Sequence, residues 1–532
     1  MSESTSKKII RNTAYNYVGF LILVSIQFFS TPYIVRALGK DAYGVYALIS
    51  VFIGYVGLLE LGIGASIIKY VSEYYVENRY DKINHLVSTA FVLFLGLGFV
   101  GALIILVFRE FFATSLFKVP SYLTDDTIFV FTVAGIAFFF TFIFGVFINV
   151  LVGLQRMDIT NKISTLFGVL NIAGIVALLW SGYGLKEIVI LSSANGIIGV
   201  LISAYISKRI LRELSLIPRF FDRSYVKDIM QFSFYIFITK VTVLIYQNFG
   251  KLILGILLPI KYVTIYTIGA MLSGFIYRLS GLAVAPVMPA SSELIAKKDT
   301  ESIKELFLRG TKYVTIINIP AIVFLGIFAE EIIRFWMGEG FEESVLIFRI
   351  LLIGLLIETL QHVGGNMLPG VGKPKLSAYY AVGNAILMVL LTIIFVKEFG
   401  PIGAALGVTI SQLIVLSLFI PHLCKIFKAS IYNFFNVAIK KSIFAGILAG
   451  LSVIILQNLN IVDGWMGLIF YGIVFILFYL ISVLIFVLDE KDARLVAVIS
   501  QIKILVSIKR YISSLKIYVL SFFKFTYNNG KK

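Results

Sequence analysis

The chain has 532 residues, of which 59% are hydrophobic and 14% charged, whereas a soluble globular protein carries roughly 25% charged residues. Too little polar surface remains to cover a soluble core, and the long continuous apolar runs fit membrane-spanning helices, not the short alternating segments of a barrel. The formal net charge is +17, from 46 basic and 29 acidic residues; the basic residues sit in short loops, which points to membrane topology and not to nucleic-acid binding.

In chain order, apolar runs bounded by charges or turn residues predict about fourteen transmembrane helices. The first six lie near 13–35, 44–68, 86–108, 127–152, 163–181 and 187–207, and the next six near 231–257, 263–287, 313–335, 343–366, 377–396 and 401–421. Two more follow at 442–459 and 467–489. The first run is too long for the apolar part of a signal peptide and has no cleavage site after it, so it is read as the first span. From Glu490 to Lys532, lysines recur among Ile, Leu, Val and Phe, the pattern of an amphipathic helix on the inner leaflet; a fifteenth span near 511–525 is the weaker reading.

With both termini inside, 34 Lys and Arg fall on inner segments, nine on outer segments and three within spans. The outer count includes Arg334 and Arg349, near the outer ends of their spans. This bias sets the orientation. Trp180, Trp336 and Trp465 fall at outer span ends, where an amphipathic ring is expected to sit at the interface. Cys424 is the single cysteine, so neither an internal disulfide nor a thiolate cluster is available. His85, His362 and His422 are the only histidines, no metal site is expected, and no Walker motif occurs.

Three short matches recur in order at nearly constant spacing. Leu38-Gly-Lys-Asp-Ala-Tyr-Gly-Val-Tyr46 pairs with Leu258-Pro-Ile-Lys-Tyr-Val-Thr-Ile-Tyr266, Gly153-Leu-Gln-Arg156 with Gly370-Val-Gly-Lys373, and Gly184 with Gly400-Pro-Ile-Gly403. They suggest two parallel six-helix halves, an organisation common in secondary transporters, with a substrate site between the halves. The expected organisation is an N-lobe at 1–207, a basic cytoplasmic linker at 208–230 and a C-lobe at 231–421. An appended helix pair at 422–489 and a basic tail at 490–532 complete it.

At Arg11-Asn-Thr13, Leu38–Leu48, Leu58-Leu-Glu-Leu-Gly-Ile-Gly64, Tyr70-Val-Ser-Glu-Tyr74, Gly153-Leu-Gln-Arg-Met-Asp158 and Gly372-Lys-Pro-Lys375, the chain resembles the polysaccharide exporters of the multidrug/oligosaccharidyl-lipid/polysaccharide superfamily. More narrowly, it resembles Wzx-type flippases of lipid-linked oligosaccharides, over roughly residues 8–420. The family usually has Asp where this chain has Glu60. The resemblance implies a MATE-like inverted V of two six-helix lobes and alternating access. It implies movement of an undecaprenyl-diphosphate-linked glycan to the outer leaflet of a prokaryotic plasma membrane, for O-antigen, capsule or teichoic-acid type polymers. A proton or sodium gradient is the implied drive, with no other cofactor. Expected partners are the polyprenyl-diphosphate-linked oligosaccharide, anionic membrane lipids, and a polysaccharide polymerase with glycosyltransferases.

Such a substrate needs fixed positive charge to offset lost phosphate hydration. Lys240, Gln247 and Lys251 lie within about 40° of one helical face, with Asn248 beside them and Arg278 on the next span. The bland reading is snorkelling or a structural ion pair. Asn16 and Gln27 share a face of the first span and are candidate cavity residues, with interhelical hydrogen bonding as the alternative. Glu60, Glu358 and His362 are candidates for ion coupling. Glu60 pairing with Lys240 or Arg278, and a polar cluster bracing the tenth span, are the structural alternatives. The turns at Gly153–Asp158 and Gly372–Lys375 read as basic anchors for anionic lipid. Three rival functions remain. A multidrug or organic-cation antiporter would favour an acidic, aromatic cavity. A membrane enzyme would need a catalytic loop, and the longest outer loop, 109–126, has no histidine. A passive scaffold would have little use for charges inside spans.

Overall fold

The computed structural model describes residues 3–215, 220–284, 286–459, 464–489 and 492, with residues 3–18 by backbone alone. The predicted basic tail, and with it the alternative span near 511–525, lies outside the described residues apart from Asp492. The described residues are helical, with no strand among them. Eleven helices are long and apolar enough to cross a membrane, as expected of a chain whose backbone polar groups must be satisfied within each segment. The chain is a multi-pass membrane protein.

Two compact units are present, one comprising Met1–Met271 with Ala381–Ser411, the other Leu272–Tyr380 with Gln412–Lys532. The first opens with α1 (Glu3–Val56), whose 54 residues would run about 80 Å if straight. Gly39 breaks it with φ 79°, while Pro32 sits inside the helix. A 3₁₀ turn (Gly57–Glu60) leads to α2 (Ile63–Val76). Then come α3 (Tyr80–Phe111), α4 (Ser121–Gly153), α5 (Met157–Trp180), α6 (Leu185–Ile210) and α7 (Arg223–Leu257). Small residues let α3 and α4 approach: a Cβ on Gly101 would lie 2.5 Å from the Phe138 ring. Near one end, Phe52, Phe112, Phe117 and Phe131 pack with ring centroids 4.5 to 6.3 Å apart.

The second unit holds most of α8 (Lys261–Val284), then α9 (Val287–Ala296), α10 (Thr300–Ile327), α11 (Ala329–Met337) and α12 (Glu342–Gly370). Helices α13 (Pro374–Phe399) and α14 (Pro401–Ile426) are divided between the units, and α16 (Lys441–Asn458) and α17 (Gly464–Ser482) belong to the second. The appended α16 packs on α10 through Gly446 and Gly450, four residues apart: a Cβ on Gly446 would collide with Ile319, and one on Gly450 would lie 3.1 Å from Ile327. Small residues one turn apart are the usual device for close helix approach in lipid.

The repeat is visible in backbone geometry. Left-handed residues end helices at Asn78 and Lys298, at Gln155 and Gly372, and at Gly182 and Gly400, pairs 220, 217 and 218 residues apart. The turn at Gln155 is closed by bonds from its N–H to Val152 O and from Arg156 N–H to Leu151 O, both 2.9 Å. The turn at Gly372 repeats them, to Pro369 O at 3.1 Å and from Lys373 to Leu368 O at 2.8 Å. Packing recurs as well. A Cβ on Gly153 would lie 2.9 Å from Val71, and one on Gly370 would collide with Ser291, the residue 220 positions after Val71.

Several local expectations differ from the structure. Span 44–68 is not one helix, because Leu61 (φ 50°) and Gly62 (φ 79°) are both left-handed. Most of the segment 109–126 is wound, by the end of α3, a π turn at Phe112–Leu116 and the start of α4. Of the tryptophans, Trp180 is 84% exposed but Trp336 only 4%, because α11 buries that ring inside the protein. The expected linker becomes helical at Arg223, and its earlier part is tied to α3. Asn84 donates to Glu213 O and accepts from Ser215 N, both at 2.9 Å, and Thr89 Oγ1 accepts from Asp222 N at 3.1 Å.

Candidate functional site

In the first unit, the sequence Glu60-Leu-Gly-Ile-Gly64 cannot continue a helix as folded. Leu61 and Gly62 both adopt positive φ, a conformation glycine takes freely and leucine does not. Strain at a non-glycine residue is commonly held where structure has a use for it. Gly62 allows a close approach to α7, where a Cβ would lie 2.6 Å from Ser233 O. Ser66 fixes the same crossing, bonding Ile229 O at 3.0 Å and Ser233 Oγ at 2.9 Å.

The break aims Glu60 at the start of α2. Its Oε1 accepts from Gly64 N–H at 3.0 Å, and its Oε2 accepts from Lys240 Nζ at 2.7 Å. The carboxylate therefore meets both the positive end of a half-helix and an ammonium group. Gly64 must be small, since a Cβ there would collide with Glu60 Oε1 and lie 2.6 Å from Asn149 Nδ2. Of the two partners left open for Glu60, the structure forms the Lys240 pair. The sequence partition places these residues in different halves, yet both lie in the first compact unit. The side chains are partly accessible, Lys240 at 42% and Glu60 at 22%, so the pair can exchange partners. If it opens, an ammonium and a backbone N–H are freed together, a donor set suited to phosphate oxygens.

Further along α7, Gln247 is exposed, and Asn248 and Lys251 are half-buried. Gln27 is exposed on α1, where its carbonyl accepts from Thr31 Oγ1 at 2.6 Å. Asn16 lies on α1 in the stretch described by backbone alone.

In the second unit, Glu358 and His362 are joined through Tyr277. The Tyr277 side chain hydrogen-bonds to Glu358, and its ring stacks on His362 with centroids 6.1 Å apart and planes 11° apart. Gln412 Nε2 donates to Glu358 Oε2 at 3.2 Å. Asn366 Nδ2 donates to His362 O at 2.8 Å, within the same helix. Below them a buried seam joins α8, α10 and α12: Ser280 Oγ donates to Asn318 Oδ1 at 2.7 Å, and Asn318 Nδ2 donates to Thr359 Oγ1 at 2.9 Å. Arg278, on α8, is exposed. Spacing alone found Glu358 and His362 but missed Tyr277, Gln412, Asn318 and, in the first unit, Asn149. Single polar residues on otherwise apolar helices give no signal until the helices are packed. Among the described residues no group of three or more His, Cys, Asp or Glu could hold a metal ion.

Apolar helices long enough to cross a bilayer, one of them broken at a charged pair, with polar clusters retained inside others, define a membrane transporter. The chain belongs to the family described as polysaccharide biosynthesis protein, which it matches over residues 33–346. A putative O-antigen transporter of Shigella flexneri is 22% identical over 404 residues, covering 75% of this chain and 94% of that protein. The probable low-salt glycan biosynthesis flippase Agl15 of Haloferax volcanii is 22% identical over 469 residues, 87% of this chain and 94% of that one. Among solved structures, the lipid II flippase MurJ in an inward closed conformation is similar at TM-score 0.70. It is 15% identical and covers 89% of this chain and 98% of its own. An inward-facing multidrug resistance MATE family transporter is similar at TM-score 0.63 and 15% identity, covering 78% and 98%. These likenesses establish a MATE- and MurJ-like fold.

Proposed function

We propose that this protein is a flippase that carries a polyprenyl-diphosphate-linked oligosaccharide from the inner to the outer leaflet of a prokaryotic plasma membrane. In this reading the chain crosses fourteen times with both termini cytoplasmic, works by alternating access, and carries out no covalent chemistry. The family match and the names of the Shigella and Haloferax relatives support a glycan cargo. The observation that carries the mechanism is the Glu60–Lys240 pair at the broken span. A diphosphate arriving there can replace the Glu60 carboxylate at Lys240 and at Gly64 N–H, exchanging one anion for another without stranding either cationic group. Lys251 and Arg278 supply further positive charge, while Gln247, Asn248 and Gln27 are donors for sugar hydroxyls. Glu358, held by Gln412 and Tyr277, is the proposed site at which a proton or sodium ion is taken up, with His362 tuning it through Tyr277.

The test is leaflet exchange of a fluorescent polyprenyl-diphosphate oligosaccharide in proteoliposomes, comparing wild type with Lys240→Ala plus Lys251→Ala. Exchange in the wild type and its loss in a folded double variant is the expected result. Exchange that persists in the variant would remove both lysines from the mechanism. Export of a cationic dye with no glycolipid exchange would replace the proposal with an organic-cation antiporter.

A further inference from the structure

The two repeat-related turns after α4 and α12 share a backbone and differ in charge. In the first, Arg156 is answered two residues on: its Nε and Nη2 bond the two carboxylate oxygens of Asp158 at 3.0 and 3.2 Å. In the second, the basic residue is Lys373, and the position 217 residues after Asp158 is Lys375. Both lysines are exposed, and among the described residues neither ammonium has an ion-pair partner. A neutral pair has been replaced by two positive charges on an otherwise conserved turn geometry.

These charges line a cavity of about 450 Å³ together with Leu376, Tyr379, His422 and Ile426. The His422 ring is held by Tyr380, whose hydroxyl lies 3.2 Å from Nδ1, which leaves Nε2 as its remaining polar atom. Tyr379 is 71% exposed. The groove therefore joins two ammonium groups and an imidazole to an apolar wall. A small soluble anion would use the cations and leave the wall unoccupied, whereas an amphiphile uses both.

We propose that this groove binds the phosphate headgroup of a membrane lipid. The phosphate is placed at Lys373 and Lys375, within reach of His422, and the hydrocarbon chain runs along Leu376, Tyr379 and Ile426. The lipid anion does at the second turn what Asp158 does at the first. Two lipids carry this chemistry, a bulk anionic phospholipid and a polyprenyl diphosphate. The site stands whether or not the protein flips lipid.

The experiment is native mass spectrometry of the purified full-length protein, titrated separately with phosphatidylglycerol, undecaprenyl diphosphate and phosphatidylcholine, and with inorganic phosphate as competitor. The key variant is Lys375→Asp, which should form the internal pair seen at the first turn. Lys373→Gln plus Lys375→Gln is the second, in case the first does not fold. Preferential binding of either phosphate lipid over phosphatidylcholine, weakened roughly 30-fold by Lys375→Asp, is the expected result, each Lys near an anionic lipid surface being worth about tenfold or somewhat less. Preference between the two phosphate lipids identifies the source. Binding unchanged in the folded variants overturns the site, and displacement of lipid by inorganic phosphate at comparable concentration overturns its assignment to a lipid.

Discussion

Replacing Lys240 with Met keeps most of the side-chain volume and removes the charge that meets Glu60 at 2.7 Å. Glu60 then keeps the Gly64 N–H but loses its counter-ion. An exposed ion pair is worth about 0–1 kcal/mol, whereas removing one partner of a buried pair costs about 3–5 kcal/mol. With Lys240 42% and Glu60 22% accessible, this pair lies between those limits, and a coupling of about 1–2 kcal/mol is expected. The measurement is a double-mutant cycle of Lys240→Met, Glu60→Gln and both together, with unfolding free energies from SDS titration in mixed micelles. Cys424, the single cysteine and a buried one, makes a thiol-reactive dye a direct reporter of unfolding. Glu60→Gln should be milder than Lys240→Met, because the amide oxygen can still accept from Gly64, and the double variant should recover part of the combined loss. Additive losses, with coupling below about 0.3 kcal/mol, would refute the view that the two charges depend on each other.

Gly62→Ala should destabilise by about 2–5 kcal/mol, combining left-handed strain with the Cβ approach to Ser233 O, and unfolding midpoints in the dye assay would report it. Gly446→Ala, which collides with Ile319 across the α10–α16 contact, should cost about 1–3 kcal/mol by the same measurement. Asn318→Ala should cost a similar amount, about 1–3 kcal/mol, by stranding polar partners in the buried α8–α10–α12 seam. For pH, hydrogen bonds from Ser224 and from Ser302 to the capping carboxylates Asp222 and Asp299 hold both below the usual carboxylate range. Burial opposes ionisation of Asp489, but the Asp492 N–H and the Arg309 guanidinium bring it down to about 2. Carboxyls depressed on folding stabilise fully above their unfolded values near 4, and lose that contribution as pH falls through the folded ones. These three groups should thus leave stability flat from pH 5 to 8 and lower it below about pH 4; a loss between pH 7 and 5 would have another origin.

The all-helical membrane fold was legible in the sequence, because hydrocarbon imposes one rule on every residue in a span. The repeat was legible for a related reason: helix ends need left-handed residues, and so Gly, Asn and Gln recur at similar spacing. Glu60, Lys240, Glu358 and His362 stood out because charge and imidazole are rare among apolar neighbours. Their partners did not. That Glu60 takes Lys240, that Glu358 takes Gln412 and Tyr277, and that Trp336 turns inward depend on which helices pack together, and periodicity carries no information about a neighbour more than a hundred residues away. The break at Leu61–Gly62 was hidden for a different reason: its residues are as apolar as a continuous span, and only the approach of α7 and the capping of α2 by Glu60 make the strained backbone the lower-energy choice. Apolar patterning was enough to set which segments enter the membrane; the pairing of the few polar groups they carry was decided by packing, since a charge taken out of water is stable only where tertiary structure brings it a partner.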